Sequence, residues 1–186
     1  MSFNPCLSVY SIMKDFKHPW FIAGGWAIDL FLGQETRPHS DIEIGVYRHH
    51  QSSLKKHLEG WTFLKVNKAN ILAWEGERLE LPVHELYAIK QEQTLEILLS
   101  ESSQGDWVFR RDPAITVPYE LAWAESSKGI PYLQPEIVLL YKVNQSRKKD
   151  HHDFFETYKH LDVDKRKWLR KAVSHHEPYH DWLNYL

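Results

Sequence analysis

The segment FIAGGWAIDLFLGQETRPHSDIEIGV, Phe21 to Val46, concentrates the residues whose types and spacing point to chemistry in this 186-residue chain. Its DIEI portion alternates polar and apolar residues from Asp41 to Ile44, the period of a half-buried strand. Residues two apart in a strand project to one side, so Asp41 and Glu43 point together while Ile42 and Ile44 face away. Two carboxylates on one side repel unless a cation lies between them. Hard oxygen ligands suit Mg²⁺, which takes a few carboxylates together with substrate phosphate oxygens.

Gly24 and Gly25 supply the complementary half. Lacking side chains, they let the backbone approach a ligand and adopt positive φ. The short apolar helix expected after them presents unpaired N–H groups and a partial positive charge at its start, an arrangement that favours phosphate. Taken singly, a glycine pair is usually a turn and D-x-E an exposed strand edge. Their order and spacing argue for phosphates and metal meeting at one place.

The stretch GGWAIDLFLGQETRPHSDIEI resembles the signature of the antibiotic nucleotidyltransferases. It is most similar to the aminoglycoside 2''-nucleotidyltransferase family, with lincosamide nucleotidyltransferases as more distant relatives. Those families join G-G-W to a short helix, a T-R-x-H type loop and a D-I-D or D-L-D strand. The match runs from Gly24 to Ile44 and continues more weakly towards Phe155. The resemblance implies an α+β fold: a polymerase-β-like nucleotidyltransferase core with a small mixed sheet and helices on one side. It also implies transfer of a nucleoside monophosphate from a nucleoside triphosphate such as ATP to a hydroxyl, with Mg²⁺ (two ions during turnover) and release of pyrophosphate. An aminoglycoside is the acceptor that the nearest relatives suggest. Two departures stand out: Glu43 where those relatives usually carry aspartate, and Gly25 for the serine of the more general G-S pattern.

Such enzymes need a further acid on a neighbouring strand, to complete metal coordination or to take a proton from the attacking hydroxyl. TLEILLSE offers Glu96 within an apolar run and Glu101 at its end. A carboxylate between Leu95 and Ile97 inside a sheet needs a metal, a cation or a raised pKa. Alternation also permits a solvent-facing Glu96, and Glu80 in RLELP is the reserve candidate. Asp41, Glu43 and Glu96 are therefore the expected catalytic and metal-binding set. By resemblance, Lys142 or Lys149 meets the triphosphate and Asp150 and Asp153 orient those lysines, while Arg37 and His39 line the nucleotide pocket. The plain alternatives are a solvated helix start with acidic caps and loop residues that only cap.

The elements that must position these groups follow from periodicity. Leu7–Phe16 reads as a helix, WFIA as a strand, and WAIDLFLG as a helix that Gly33 ends. HHQSSLKKHL reads as a helix; WTFLKV, NILAWE, TLEILLS, DWVFRRD and AITVPYE read as strands. From Pro135 the pattern turns helical. The expected organisation is a core over residues 1–115 and a mainly helical region over 116–186, packed on the core.

A formal charge of −2, from 23 basic and 25 acidic residues, gives no global reason to bind nucleic acid or an anionic membrane. Apolar content of 42% and eight tryptophans argue for a packed globule rather than disorder. Cys6 is the only cysteine, so no intramolecular disulfide forms, which fits a cytoplasmic protein. No signal peptide and no membrane span are expected. HEPYH, His176–His180, has the letters of a zinc-protease motif, but Pro178 interrupts the helix that the motif requires. Two other functions stay open: a catalytically degenerate binding or regulatory protein on this fold, and a protein-modifying transferase of toxin–antitoxin type.

Overall fold

Pro5 sits in the first turn of α1 (Asn4–Met13), where its missing N–H costs nothing, and the helix starts three residues earlier than periodicity indicates. This computed structural model describes residues 3–68, 70–144 and 147–186. β1 (Trp20–Ile22) leads into α2 (Gly24–Leu32), which Gly33 ends in the left-handed region at φ 74°. The chain continues through β2 (Glu43–Tyr47), α3 (Gln51–His57), β3 (Thr62–Asn67), β4 (Asn70–Ala73), β5 (Glu85–Lys90) and β6 (Gln93–Ser103). β7 (Asp106–Val108), β8 (Thr116–Pro118), β9 (Trp123–Glu125) and β10 (Pro131–Leu133) follow. The helices α4 (Pro135–Lys142), α5 (Lys148–Thr157) and α6 (Val163–His176) close the fold.

The main sheet runs β4-β3-β5-β6-β2-β1-β10-β9, and β7 and β8 extend from β6. β2 is parallel to β6 and β1 is parallel to β10, whereas the other pairs are antiparallel. The architecture is a mixed-sheet α+β fold, as expected. Short strands continue past residue 115: β9 and β10 belong to the same sheet, and the helices of the C-terminal region start at Pro135. Three-residue strands are too short to show a period.

Ile44, Val46, Ile97 and Leu99 are buried, fixing β2 against β6. Each such side chain contributes about 1.5–3 kcal/mol of burial, so the register of these two strands is well determined. α4 buries Ile137, Val138, Leu139 and Leu140 and packs against α2, α5 and α6. Among the described residues, no helix is long and apolar enough to cross a membrane.

Candidate active site

The parallel pairing of β2 with β6 sets Glu43 directly opposite Glu96. Neighbouring strands lie about 4.8 Å apart, so these carboxylates are nearest neighbours on one face. Burial raises Glu43, and Asp41 adds to the rise while Lys142 opposes it. Burial, then the charges of Glu43, Glu85 and Asp41, push Glu96 up to about 7. The pair is a desolvated site of concentrated negative charge.

Asp41 lies two residues before β2 and is exposed. Its carbonyl accepts from Trp26 Nε1 at 3.1 Å and its Oδ2 accepts from Ser40 Oγ at 3.0 Å. Asp41, Glu43 and Glu96 line one cavity of about 530 Å³. Among the described residues, however, no three His, Cys, Asp or Glu side chains are grouped to ligate a single ion. The carboxylate pair still suits Mg²⁺, which needs only one or two protein carboxylates when phosphate oxygens and water complete its shell.

The two glycines serve the protein's own side chains. Gly24 has φ +59°, and a Cβ there would fall on the Glu43 carboxylate. A Cβ on Gly25 would lie 2.5 Å from Arg37 Nη2 and 2.6 Å from His39 Nδ1. The start of α2 is therefore kept bare so that Glu43, Arg37 and His39 can close over it.

A buried charge network holds that arrangement. Asp29, fully buried on α2, accepts from Thr36 N at 3.1 Å, Thr36 Oγ1 at 2.7 Å and His39 Nε2 at 2.5 Å. His39 Nδ1 faces Arg37 Nη1 at 3.1 Å; an arginine only donates, so Nδ1 accepts and Nε2 carries the proton given to Asp29. Arg37 forms a two-pronged pair with Asp153, at 2.7 and 2.9 Å. Lys142 Nζ lies 2.9 Å from Asp153 and 3.2 Å from Asp150, and Arg147 Nε donates to Asp150 at 2.7 Å. Burial would raise both aspartates, but hydrogen bonds from Arg147 to Asp150 and from Arg37 to Asp153, together with the Lys142 charge, hold both below the ordinary value.

Lys142, Arg147 and Lys149 thus stand beside the carboxylates, Lys149 exposed at the cavity wall. Glu80 is exposed, pairs with Arg78 and lies outside the cavity walls. Glu101 is held by Arg48 at 2.6 and 2.8 Å. His176 ends α6 and His180 caps the turn after it, so HEPYH presents no common face.

Sequence reasoning passed over Asp29 and Arg110. The first reads as a routine polar position in a short helix, and the second lay inside a stretch read as a strand. A second cavity, of about 280 Å³, shares Glu43, Glu96, Lys142 and Arg147 with the first and is walled further in by Arg110, Leu98 and Tyr141.

A family profile described as aminoglycoside-2''-adenylyltransferase matches residues 6–156. The lincosamide resistance protein of Staphylococcus haemolyticus is 23% identical over 138 residues, 72% of this chain and 79% of that protein. The crystal structure of ANT(2'')-Ia in complex with adenylyl-2''-tobramycin is similar at a TM-score of 0.62 with 17% identity, covering 93% of this chain and 98% of that one. Lincomycin-bound LnuA, a lincosamide antibiotic adenylyltransferase, is similar at 0.58 with 18% identity, covering 92% and 98%. At these identities the solved structures share the fold, and the profile match over most of the chain carries the kinship. The chain belongs to the aminoglycoside-2''-adenylyltransferase family.

Proposed function

We propose that this protein is a Mg²⁺-dependent nucleotidyltransferase that moves the nucleoside monophosphate of ATP to a hydroxyl of a small molecule and releases pyrophosphate. The observation that carries the reading is the opposed Glu43–Glu96 pair at Gly24, facing the cations Lys142 and Arg147. Glu43 and Glu96, with Asp41 at the rim, would hold Mg²⁺, which neutralises charge on the transferring phosphoryl group and on the departing pyrophosphate. Lys142, Arg147 and Lys149 offer counter-charge to the triphosphate. Arg37 and His39, braced over Gly25, bound the same space.

Glu96 is the proton acceptor in this reading. Without metal its carboxyl is raised to about 7 by burial and by the neighbouring carboxylates, and the charge of Mg²⁺ beside it would favour the ionised form that a general base requires. The acceptor oxygen forms its bond to the α-phosphorus as its proton passes to Glu96. The bond from that phosphorus to the bridging oxygen of pyrophosphate breaks.

The complexes named for the relatives, with adenylylated tobramycin and with lincomycin, support a hydroxylated antibiotic as the acceptor class. The test is release of pyrophosphate from ATP with Mg²⁺ and either tobramycin or lincomycin as the acceptor. Release that needs an acceptor and drops at least a hundredfold in Asp41→Ala and Glu96→Gln supports transfer. Nucleotide binding without release in the unaltered protein supports a binding protein instead.

A further inference from the structure

Of the three carboxylates at the site, Asp41 is the one that no sheet ladder holds. Residues 33–42 form neither helix nor strand, and Asp41 is exposed two residues before β2. Its neighbour Ile42 is anchored, because the Ile42 carbonyl accepts from Glu96 N at 3.3 Å. Asp41 needs an anchor of its own to stay beside Glu43. Its charge does reach the pair: burial raises Glu43 and Glu96, and Asp41 is among the charges that add to the rise.

Trp26 supplies that anchor from α2. It follows the bare Gly24 and Gly25 and is buried, and its one polar side-chain atom, Nε1, donates to the Asp41 carbonyl at 3.1 Å. The same indole packs against His39, with ring centres 4.4 Å apart and planes tilted by 35°. His39 is itself fixed by Asp29 at 2.5 Å and by Arg37 at 3.1 Å. One side chain therefore grips the loop twice, at residue 39 through its ring and at residue 41 through its N–H. Burial alone does not bring such a bond: Trp107 and Trp123 have buried Nε1 atoms without a partner among the described residues.

We infer that Trp26 is a positioning residue for the metal: by holding the carbonyl of Asp41 it sets the direction in which the Asp41 carboxylate leaves the chain, toward the cation held with Glu43. The inference rests on the nucleotidyl-transfer reading above and adds to it a residue that lies outside both cavity walls. Fixing a carbonyl fixes the backbone torsion beside the Cα, so only the side-chain torsions of the aspartate are left to adjust. Mg²⁺ demands near-ideal octahedral geometry and tolerates little drift in a ligand. Without the Nε1 donor, water takes its place at this exposed residue, and the loop gains a freedom that metal binding must remove again.

The test is a double-mutant cycle, read by calorimetric titration of α,β-methylene-ATP with and without Mg²⁺ into the unaltered chain, Trp26→Phe, Asp41→Asn and the double variant. Phenylalanine keeps a ring against His39 and removes the donor, whereas asparagine keeps the carbonyl and removes the ligand charge. The gain in affinity that Mg²⁺ brings should fall about fivefold in Trp26→Phe, the scale of one hydrogen bond, while affinity without Mg²⁺ stays within about twofold. In the Asp41→Asn background, Trp26→Phe should change that gain by less than about 1.5-fold, which a general loosening of α2 would not produce. Should Trp26→Phe fail to fold, Trp26→Tyr, which also lacks the indole donor, takes its place in the cycle. A Mg²⁺ gain as large in Trp26→Phe as in the unaltered chain overturns the inference. So does a loss of about fivefold that persists in the Asp41→Asn background, because Trp26 would then act on another part of the site. An unaltered chain that binds the nucleotide equally with and without Mg²⁺ removes the metal reading itself, and the inference with it, a failure recognisable before any variant is compared.

Discussion

Glu43 and Glu96 face each other across parallel strands, and the Glu43 carboxylate fills the place that a side chain on residue 24 would take. The acidic strand and the glycine pair are thus one device: bare backbone at the start of α2 lets a buried carboxylate turn toward its partner on β6.

Activity should titrate with Glu96. Its ionised form accepts the proton, so kcat/KM falls about tenfold per pH unit below about 7 and levels off above it. Stability runs the other way. The folded-state value of about 7 exceeds the ordinary 4.5, so the native state holds more protons than the unfolded chain between these limits. Without metal, stability is greatest below about pH 4.5 as far as this group is concerned and is lost as pH rises through about 7. Thermal unfolding at pH 5.5 and pH 8 checks the sign. Glu96→Gln reduces the slope without abolishing it, because Glu136, raised to about 7 by burial on α4, contributes in the same direction.

Gly24→Ala and Gly33→Ala separate backbone strain from site damage. Both glycines have positive φ, +59° and +74°, and alanine there costs about 1–2 kcal/mol. Around Gly33 there is no atom for a Cβ to meet within 4 Å, whereas at Gly24 it meets Glu43. Urea unfolding should show both variants destabilised, with Gly24→Ala the worse. Pyrophosphate release should fall more than a hundredfold in Gly24→Ala and stay within threefold in Gly33→Ala.

Asp29→Asn should act at a distance through a tautomer. An amide nitrogen turned to His39 Nε2 makes that atom an acceptor and moves the proton to Nδ1, where it opposes the Arg37 donor. The loop over Gly25 then loosens. Unfolding free energy should drop by about 1.5–3 kcal/mol, the scale of a hydrogen bond to a charged group. The Kd for the ATP analogue should rise at least fivefold, while the pH profile set by Glu96 stays in place.

The sequence was most legible where chemistry and periodicity coincide. Gly33 as the stop of α2 and the acidic strand left local marks in residue type and spacing, whereas the pairing of Lys142 with Asp150 and Asp153 follows only from the family resemblance. Glu96 as neighbour of Glu43 depends on a parallel pairing across about fifty residues, which no local pattern encodes. β5 was overlooked although Leu86 and Ala88 alternate into the core, since the polar run before it reads as a loop. β9 and β10 are held by sheet partners rather than by their own composition, and three residues are too few to show a period. Asp41 read as a strand residue beside Glu43, but β2 begins only at Glu43 and leaves Asp41 at the rim.

The most direct measurement is titration of α,β-methylene-ATP with and without Mg²⁺ into the unaltered protein and into the Glu43→Gln/Glu96→Gln double variant. If the opposed carboxylates hold a nucleotide-bound cation, removing Mg²⁺ weakens binding at least tenfold in the unaltered protein and has no effect in the double variant. Affinity that is the same with and without Mg²⁺, and the same in both proteins, would contradict a metal–nucleotide site at Glu43 and Glu96.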